Sequence, residues 1–208
     1  MAVLGREQVR AALLRYVELP GARCLRALRL TPNSVTLIGF GLSVVAACLA
    51  GAGWLLAGGV VFLLGAAFDL MDGALARLTG TVSPFGALLD SVCDRLGEAS
   101  LFVGLAIYGI RAHFSEARLL FFIAALLLAL IFSQGVSYLR ARGEGLGAFT
   151  RAGVMTRTER VLLLGAGLIV GQLVWEFMLA VLVAVAAISC FTLFQRMFTI
   201  RDLLTKDG

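Results

Sequence analysis

Four aspartates carry most of the chemistry available to this sequence. They stand in two stretches, Asp69-Leu-Met-Asp72-Gly73-Ala-Leu-Ala76-Arg77 and Gly86-Ala-Leu-Leu-Asp90-Ser-Val-Cys-Asp94-Arg95. A spacing of three puts Asp69 and Asp72 on one helix face, and a spacing of four does the same for Asp90 and Asp94. A short connection between the two helices predicts antiparallel neighbours, so that all four carboxylates converge. Four such groups do not all stay ionised unless positive charge sits among them. An oxygen-only donor set suits a hard divalent cation, Mg²⁺ or Mn²⁺. Salt bridges to Arg77 and Arg95 would account for only two of the four acids. Gly73 and Ala76 leave the helix surface bare beside an arginine, which suits an extended, phosphate-bearing ligand. Two cations can bridge a diphosphate and stabilise in-line displacement at phosphorus. A carboxylate left partly free of metal can take a proton from an attacking hydroxyl.

The elements that must position these acids belong to a membrane. Hydrophobic residues make up 60% of the 208-residue chain and charged residues only 15%, too little charge to cover a soluble domain. The apolar residues gather into runs near bilayer-crossing length. Residues 1–30 form a juxtamembrane segment. Within it, residues 5–30 read as an amphipathic helix or helix pair, with Val9, Leu13, Leu14 and Val17 at helical spacing and Arg6, Arg10 and Arg15 on other faces. Its arginines suit anionic headgroups, and packing on the protein itself is an almost equal alternative. Thr31-Pro32-Asn33-Ser34 then breaks the chain.

The fold expected for residues 31–208 is an all-α domain of six transmembrane helices. The first apolar run covers 35–50 and the second 54–68, whose helix should carry its last turns, with Asp69 and Asp72, beyond the lipid. The third starts at Pro84, a favourable first-turn residue, and reaches about 110. The fourth covers 119–138. The fifth, 161–174, is short enough that its helix should begin near Thr158, and the sixth covers 177–198. Gly167-x-x-x-Gly171 is read as permitting close helix packing. Arginines crowd one side of this layout: six before the first span, Arg77 between the second and third, and Arg140, Arg142, Arg151, Arg157 and Arg160 between the fourth and fifth. Only Arg111 and Arg118 fall on the other side. The positive-inside rule therefore places both termini and the acids on the cytoplasmic side of a multi-pass cell-membrane protein. Cys24, Cys48, Cys93 and Cys190 show no paired spacing and lone His113 has no partner motif, so neither a Cys/His metal site nor a disulfide framework is expected. Cys93 is read as a packing residue. No nucleic-acid partner is expected.

The pattern D-x2-D-G-x2-A-R-x8-G-x3-D-x3-D, complete from Asp69 to Asp94, resembles the signature of the CDP-alcohol phosphotransferase family. The resemblance implies that Asp69, Asp72 and Asp90 bind metal, two Mg²⁺ ions with Mn²⁺ as an alternative. Asp94 would be the catalytic base, also able to contact a metal. It implies further that Gly73, Ala76, Arg77 and Gly86 line the CDP-lipid site, with the turn at Pro32 and Asn33 closing over the nucleotide. Ser83 offers a hydroxyl to a phosphate, or else caps the helix that starts at Pro84. Family members associate through membrane helices, so a homodimer is expected.

The acceptor is inferred from a second basic set at the ends of spans four, five and six. An arginine fork suits a phosphate dianion, which favours an alcohol that already bears phosphate. The blocks Ser137-Tyr138-x-x-Ala141-Arg142-x-Glu144, Arg157-x-Glu159-Arg160 and Gln195-Arg196 are similar to those of the phosphatidylinositol phosphate synthases within the family. That subfamily usually has lysine where this chain has Arg140. The similarity implies that Arg140, Arg160 and Arg196 grip the acceptor phosphate, with Arg157 and Arg142 beside them. The expected reaction moves a phosphatidyl group from CDP-diacylglycerol to inositol phosphate and releases CMP. Its nearest rival is phosphatidylglycerophosphate synthesis from glycerol 3-phosphate. A membrane transporter is the rival from another class, but carriers place their sites near the midplane between related halves, and no such halves are visible.

Overall fold

The computed structural model describes Tyr16, residues 18–150 and residues 152–206. Among these residues all regular structure is helical: α1 (Leu19–Ala27), α2 (Pro32–Gly51), α3 (Leu55–Thr79), α4 (Pro84–Arg111), α5 (Glu116–Gly145), α6 (Arg157–Gly171) and α7 (Trp175–Lys206). Four of them, α2, α3, α5 and α7, are long and apolar enough to cross a membrane. The 28 residues of α4 reach about 42 Å at 1.5 Å per residue, but Asp90, Asp94, Arg95 and Glu98 interrupt their apolar character. With 15 residues, α6 extends roughly 22 Å, less than the ~30 Å of a hydrocarbon core.

Local chemistry explains where the helices begin and end. At the start of α2, Thr31 and Ser34 cap each other: the Thr31 N–H donates to Ser34 Oγ at 3.0 Å and the Ser34 N–H to Thr31 Oγ1 at 3.2 Å. Pro32, with no N–H to satisfy, takes the first helical position. The Thr-Pro-Asn-Ser stretch is thus the first turn of a helix, three residues ahead of the apolar run. The same helix stops where Gly53 turns left-handed at φ 93° and the Trp54 N–H donates to Leu49 O at 2.9 Å, a glycine stop. The Gly80 turn at φ 68° ends α3 in the same way. At its end α1 makes the same return without glycine: Arg29 sits at φ 57° and the Leu30 N–H donates to Leu25 O at 3.1 Å. Thr156 precedes α6, its N–H donating to Glu159 Oε2 at 2.9 Å, so that helix begins at Arg157, one residue before the expected start. Beyond their apolar runs, α3 continues to Thr79, α5 to Gly145 and α7 to Lys206.

The chain divides into two compact units: residues up to Val45 with Val61–Glu98, and Ala46–Val60 with Ala99–Gly208. In the first unit, Ala22 and Leu25 of α1 are buried with Val35 of α2 and Ala74 and Leu75 of α3, and Phe68, Met71 and Leu78 pack around them. Burying each leucine contributes about 1.5–3 kcal/mol. The helix α1 therefore turns apolar residues Ala22 and Leu25 onto the protein, while Arg23, Arg26 and Arg29 are exposed. Residues 5–15 and Val17, also assigned to that amphipathic segment, lie outside the described residues. Glycines bring the other helices together. A Cβ on Gly39 would lie 3.1 Å from Gly65 O, and one on Gly65 3.0 Å from Gly39 O, so α2 and α3 touch backbone to backbone. A Cβ on Gly97 of α4 would lie 3.0 Å from Ser43 Cβ of α2.

In the second unit α7 packs along α5 and α6. Gly167 and Gly171 face Met178, where added Cβ atoms would fall 3.0 Å from its Sδ and 2.9 Å from its Cβ, the close packing expected of that pair. Tyr108, Phe114, Phe122 and Trp175 form an aromatic cluster, with Phe114 and Trp175 centroids 4.6 Å apart and the Arg118 guanidinium 5.7 Å from the Trp175 ring.

Candidate active site

The long α3 holds Asp69 and Asp72 on consecutive turns, and the first turns of α4 hold Asp90. One carboxylate oxygen from each of Asp69, Asp72 and Asp90 lies within 4.8 Å of the others. Asp72 is buried and the other two are partly exposed. Three converging carboxylates without a nitrogen or sulfur donor fit a hard divalent cation. Asp94, one turn beyond Asp90 on α4, is partly exposed and stands outside this three-residue cluster. Cys93 beside it is buried, in keeping with a packing role.

Around the acids the first unit gathers several residues of the expected nucleotide site. A Cβ on Gly86 would meet Ser83 Oγ at 3.1 Å and Asn33 Oδ1 at 3.3 Å, so Asn33 and Gly86 stand together. Ser83 Oγ accepts the Gly86 N–H at 3.0 Å and thereby caps α4, the second of its two expected roles. Gly73 has only the Arg77 Nη1 atom near its missing side chain, at 3.5 Å. Arg77 is mostly exposed and bridges to Glu18 at 3.4 Å. Ala76 is half-buried on the last turns of α3, one turn past Asp72, and Pro32 opens α2.

The second unit holds the basic set. Arg160 of α6 is 1% exposed and donates from Nη2 to Ser137 Oγ of α5 at 3.3 Å. Arg196 of α7 is 4% exposed; its Nε donates to Ala152 O at 2.8 Å and its Nη1 to Val136 O at 2.9 Å. Gly153, at φ 139°, lies against this guanidinium, with room for no Cβ: one would fall 3.2 Å from Arg196 Nε. Thr192 holds the same loop, accepting the Met155 N–H at 3.1 Å. Arg140, by contrast, is exposed and pairs with Glu144 at 2.9 Å. Arg140 and Arg160 both lie close enough to Arg196 for their charges to act on it, opposed by Glu144 and Glu159. Arg157 is half-buried and Arg142 exposed.

Sequence reasoning missed two partners of these residues. Thr36 is buried and bonded to Asp72; its only signal was a polar residue inside an apolar run, one turn past Asn33. Glu18 partners Arg77 from 59 positions away.

Residues 29–192 match the CDP-alcohol phosphatidyltransferase family model. The chain belongs to the CDP-alcohol phosphatidyltransferase family. Within it, the phosphatidylinositol phosphate synthase of Corynebacterium glutamicum is 38% identical over 181 residues, covering 86% of this chain and 81% of that protein. The crystal structure of the Mycobacterium tuberculosis phosphatidylinositol phosphate synthase with CDP-DAG bound superposes with a TM-score of 0.78 at 33% identity, over 88% of this chain and 93% of that one. The same Mycobacterium tuberculosis enzyme in complex with manganese and citrate gives the same score and identity, over 88% of each chain.

Proposed function

We propose that this phosphatidyltransferase moves the phosphatidyl group of CDP-diacylglycerol to a hydroxyl of inositol phosphate, forming phosphatidylinositol phosphate and CMP. The observation that carries the reading is the convergence of Asp69, Asp72 and Asp90, within 4.8 Å, on the family signature. The acceptor rests on the subfamily blocks and on relatives of that name.

Asp69, Asp72 and Asp90, with Asp94 alongside, would hold Mg²⁺ or Mn²⁺, two ions in the expected stoichiometry. Ions bound there supply positive charge to the diphosphate and to the leaving CMP. Pro32, Asn33, Gly73, Ala76, Arg77, Ser83 and Gly86 line the CDP-lipid, the small residues letting it lie against backbone. Arg140, Arg160 and Arg196 hold the phosphate of the acceptor by charge-assisted hydrogen bonds. Asp94 accepts the proton of the acceptor hydroxyl. The resulting alkoxide attacks the phosphorus nearer the lipid, and the bond from that phosphorus to the bridging oxygen breaks as CMP departs. The enzyme sits in the cell membrane with α4 and α6 completing six spans, both termini and the site cytoplasmic, and it works as a homodimer. The excess of arginines on one side of the layout supports that orientation.

The test is CMP release by purified enzyme with CDP-diacylglycerol and Mg²⁺, comparing inositol phosphate, glycerol 3-phosphate, inositol and serine. Turnover with inositol phosphate alone is expected. Turnover with glycerol 3-phosphate instead would replace the acceptor while keeping the aspartate chemistry. Full activity in Asp94→Asn would remove the base assignment.

A further inference from the structure

We propose that Thr36 is a positioning residue of the metal site, fixing the carboxylate of Asp72 through its hydroxyl; the inference rests on the metal reading given above. Thr36 Oγ1 donates to Asp72 Oδ2 at 2.5 Å. The same oxygen stands 3.1 Å from Pro32 O, the alternative acceptor one turn back on α2. A threonine hydroxyl has a single proton, and a carboxylate at 2.5 Å is the stronger acceptor. Both side chains are buried, Thr36 at 3% exposure and Asp72 at 6%.

A carboxylate that ligates a metal gains from an outer-shell donor in two ways. The donor selects one rotamer of the ligand, and it offsets part of the cost of burying the charge before a cation arrives. Asp72 is the most buried of the three clustered acids, so it has the greatest need of both. The bond also links two helices at the point where each matters. Thr36 and Asn33 are three residues apart on α2 and share a face, and Asn33 Oδ1 lies beside Gly86. One turn of α2 therefore reaches the metal ligands through Thr36 and the first turn of α4 through Asn33. The Gly39–Gly65 contact, just one turn further along α2, keeps the helices close enough for so short a side chain to span the gap.

The experiment reads Mn²⁺ affinity directly, by electron paramagnetic resonance titration of the purified, detergent-solubilised enzyme without substrate. Thr36→Val keeps the shape and β-branching of the side chain and removes only the hydroxyl, whereas Thr36→Ser keeps the hydroxyl and loses a methyl. A carboxylate deprived of its outer-shell donor is expected to bind Mn²⁺ about 10- to 100-fold more weakly in Thr36→Val, with Thr36→Ser within about threefold of wild type. Thr36→Val within that threefold range would overturn the proposal. Equal weakening in both variants would also overturn it, because packing and not the hydroxyl would then be responsible. Wild type without saturable Mn²⁺ binding would instead remove the metal reading underneath. Should Thr36→Val fail to fold, Thr36→Ala supplies the replacement: it has no donor and is tolerated well in a helix, and it is expected to show the same loss.

Discussion

Replacing Arg196 with methionine separates two duties that the arginine can perform. Its guanidinium donates to Ala152 O at 2.8 Å and to Val136 O at 2.9 Å, with the residue only 4% exposed. Hydrogen bonds from a charged group contribute about 1.5–3 kcal/mol each. Two of them set an upper range of about 3–6 kcal/mol, and relaxation of the loop, which can return Ala152 O to water, brings the expected loss to about 3 kcal/mol. For a chain of this size that lowers the unfolding midpoint by roughly 6–12 °C. Arg140→Met is the matched comparison, since Arg140 is exposed and its pair with Glu144 at i,i+4 is worth only about 0.3–0.5 kcal/mol. Thermal unfolding in detergent without substrate, followed by tryptophan fluorescence, reads the structural duty. CMP release against acceptor concentration reads the other. Both variants are expected to raise KM for the phosphorylated acceptor, and only Arg196→Met to lose the larger share of stability. A midpoint for Arg196→Met within about 2 °C of wild type would refute the view that this guanidinium pins the loop between α5 and α6.

Three further outcomes follow from the packing and the charges. Gly65→Val places side-chain atoms where Gly39 O lies 3.0 Å from the Cβ position; forcing α2 from α3 is expected to cost about 1–3 kcal/mol and to weaken Mn²⁺ binding, while Gly41→Val, which meets nothing within 4 Å, does neither. Asp90→Asn removes one of three clustered negative charges, so Mn²⁺ binding and CMP release should be lost while the metal-free protein unfolds at an equal or higher temperature; retained turnover would remove Asp90 from the site. Arg29→Gly relieves a left-handed residue at φ 57° and is expected to stabilise by about 1 kcal/mol, read as a higher unfolding midpoint with unchanged CMP release.

What was legible in the sequence was what local spacing decides. Asp69 and Asp72, and then Asp90 and Asp94, announce two helix faces because the intervals of three and four are a property of one helix. Gly53 announces the end of α2 because only glycine adopts φ 93° without strain. The end of α1 was hidden for the converse reason: Arg29 makes the same left-handed turn, and no rule reads a helix stop from an arginine. The direction in which α1 turns its apolar face was equally hidden, since Ala22 and Leu25 offer the same stripe to lipid or to α3. Thr36 was invisible because its partner lies 36 positions away. The arginines proposed for the acceptor looked alike in sequence, and only tertiary packing separates buried Arg160 and Arg196 from exposed Arg140.

Aspartate is a short side chain, and this sets a condition on the helices that the acidic signature does not state. For Asp69, Asp72 and Asp90 to bring oxygens within 4.8 Å of one another, α3 and α4 must be held in a fixed relation, and both pack on α2. The helices meet α2 through Gly39 against Gly65 and through Ser43 against Gly97, where a Cβ would fall 3.0–3.1 Å from its neighbour. Among apolar helices in lipid, where burial of oily surface gives little net drive to associate, such small-residue contacts are the means of close approach. The placement of the acids on α3 and α4 therefore rests in part on glycines outside the signature. A variant that keeps all four aspartates but widens the Gly39–Gly65 contact should lose metal with its ligands intact.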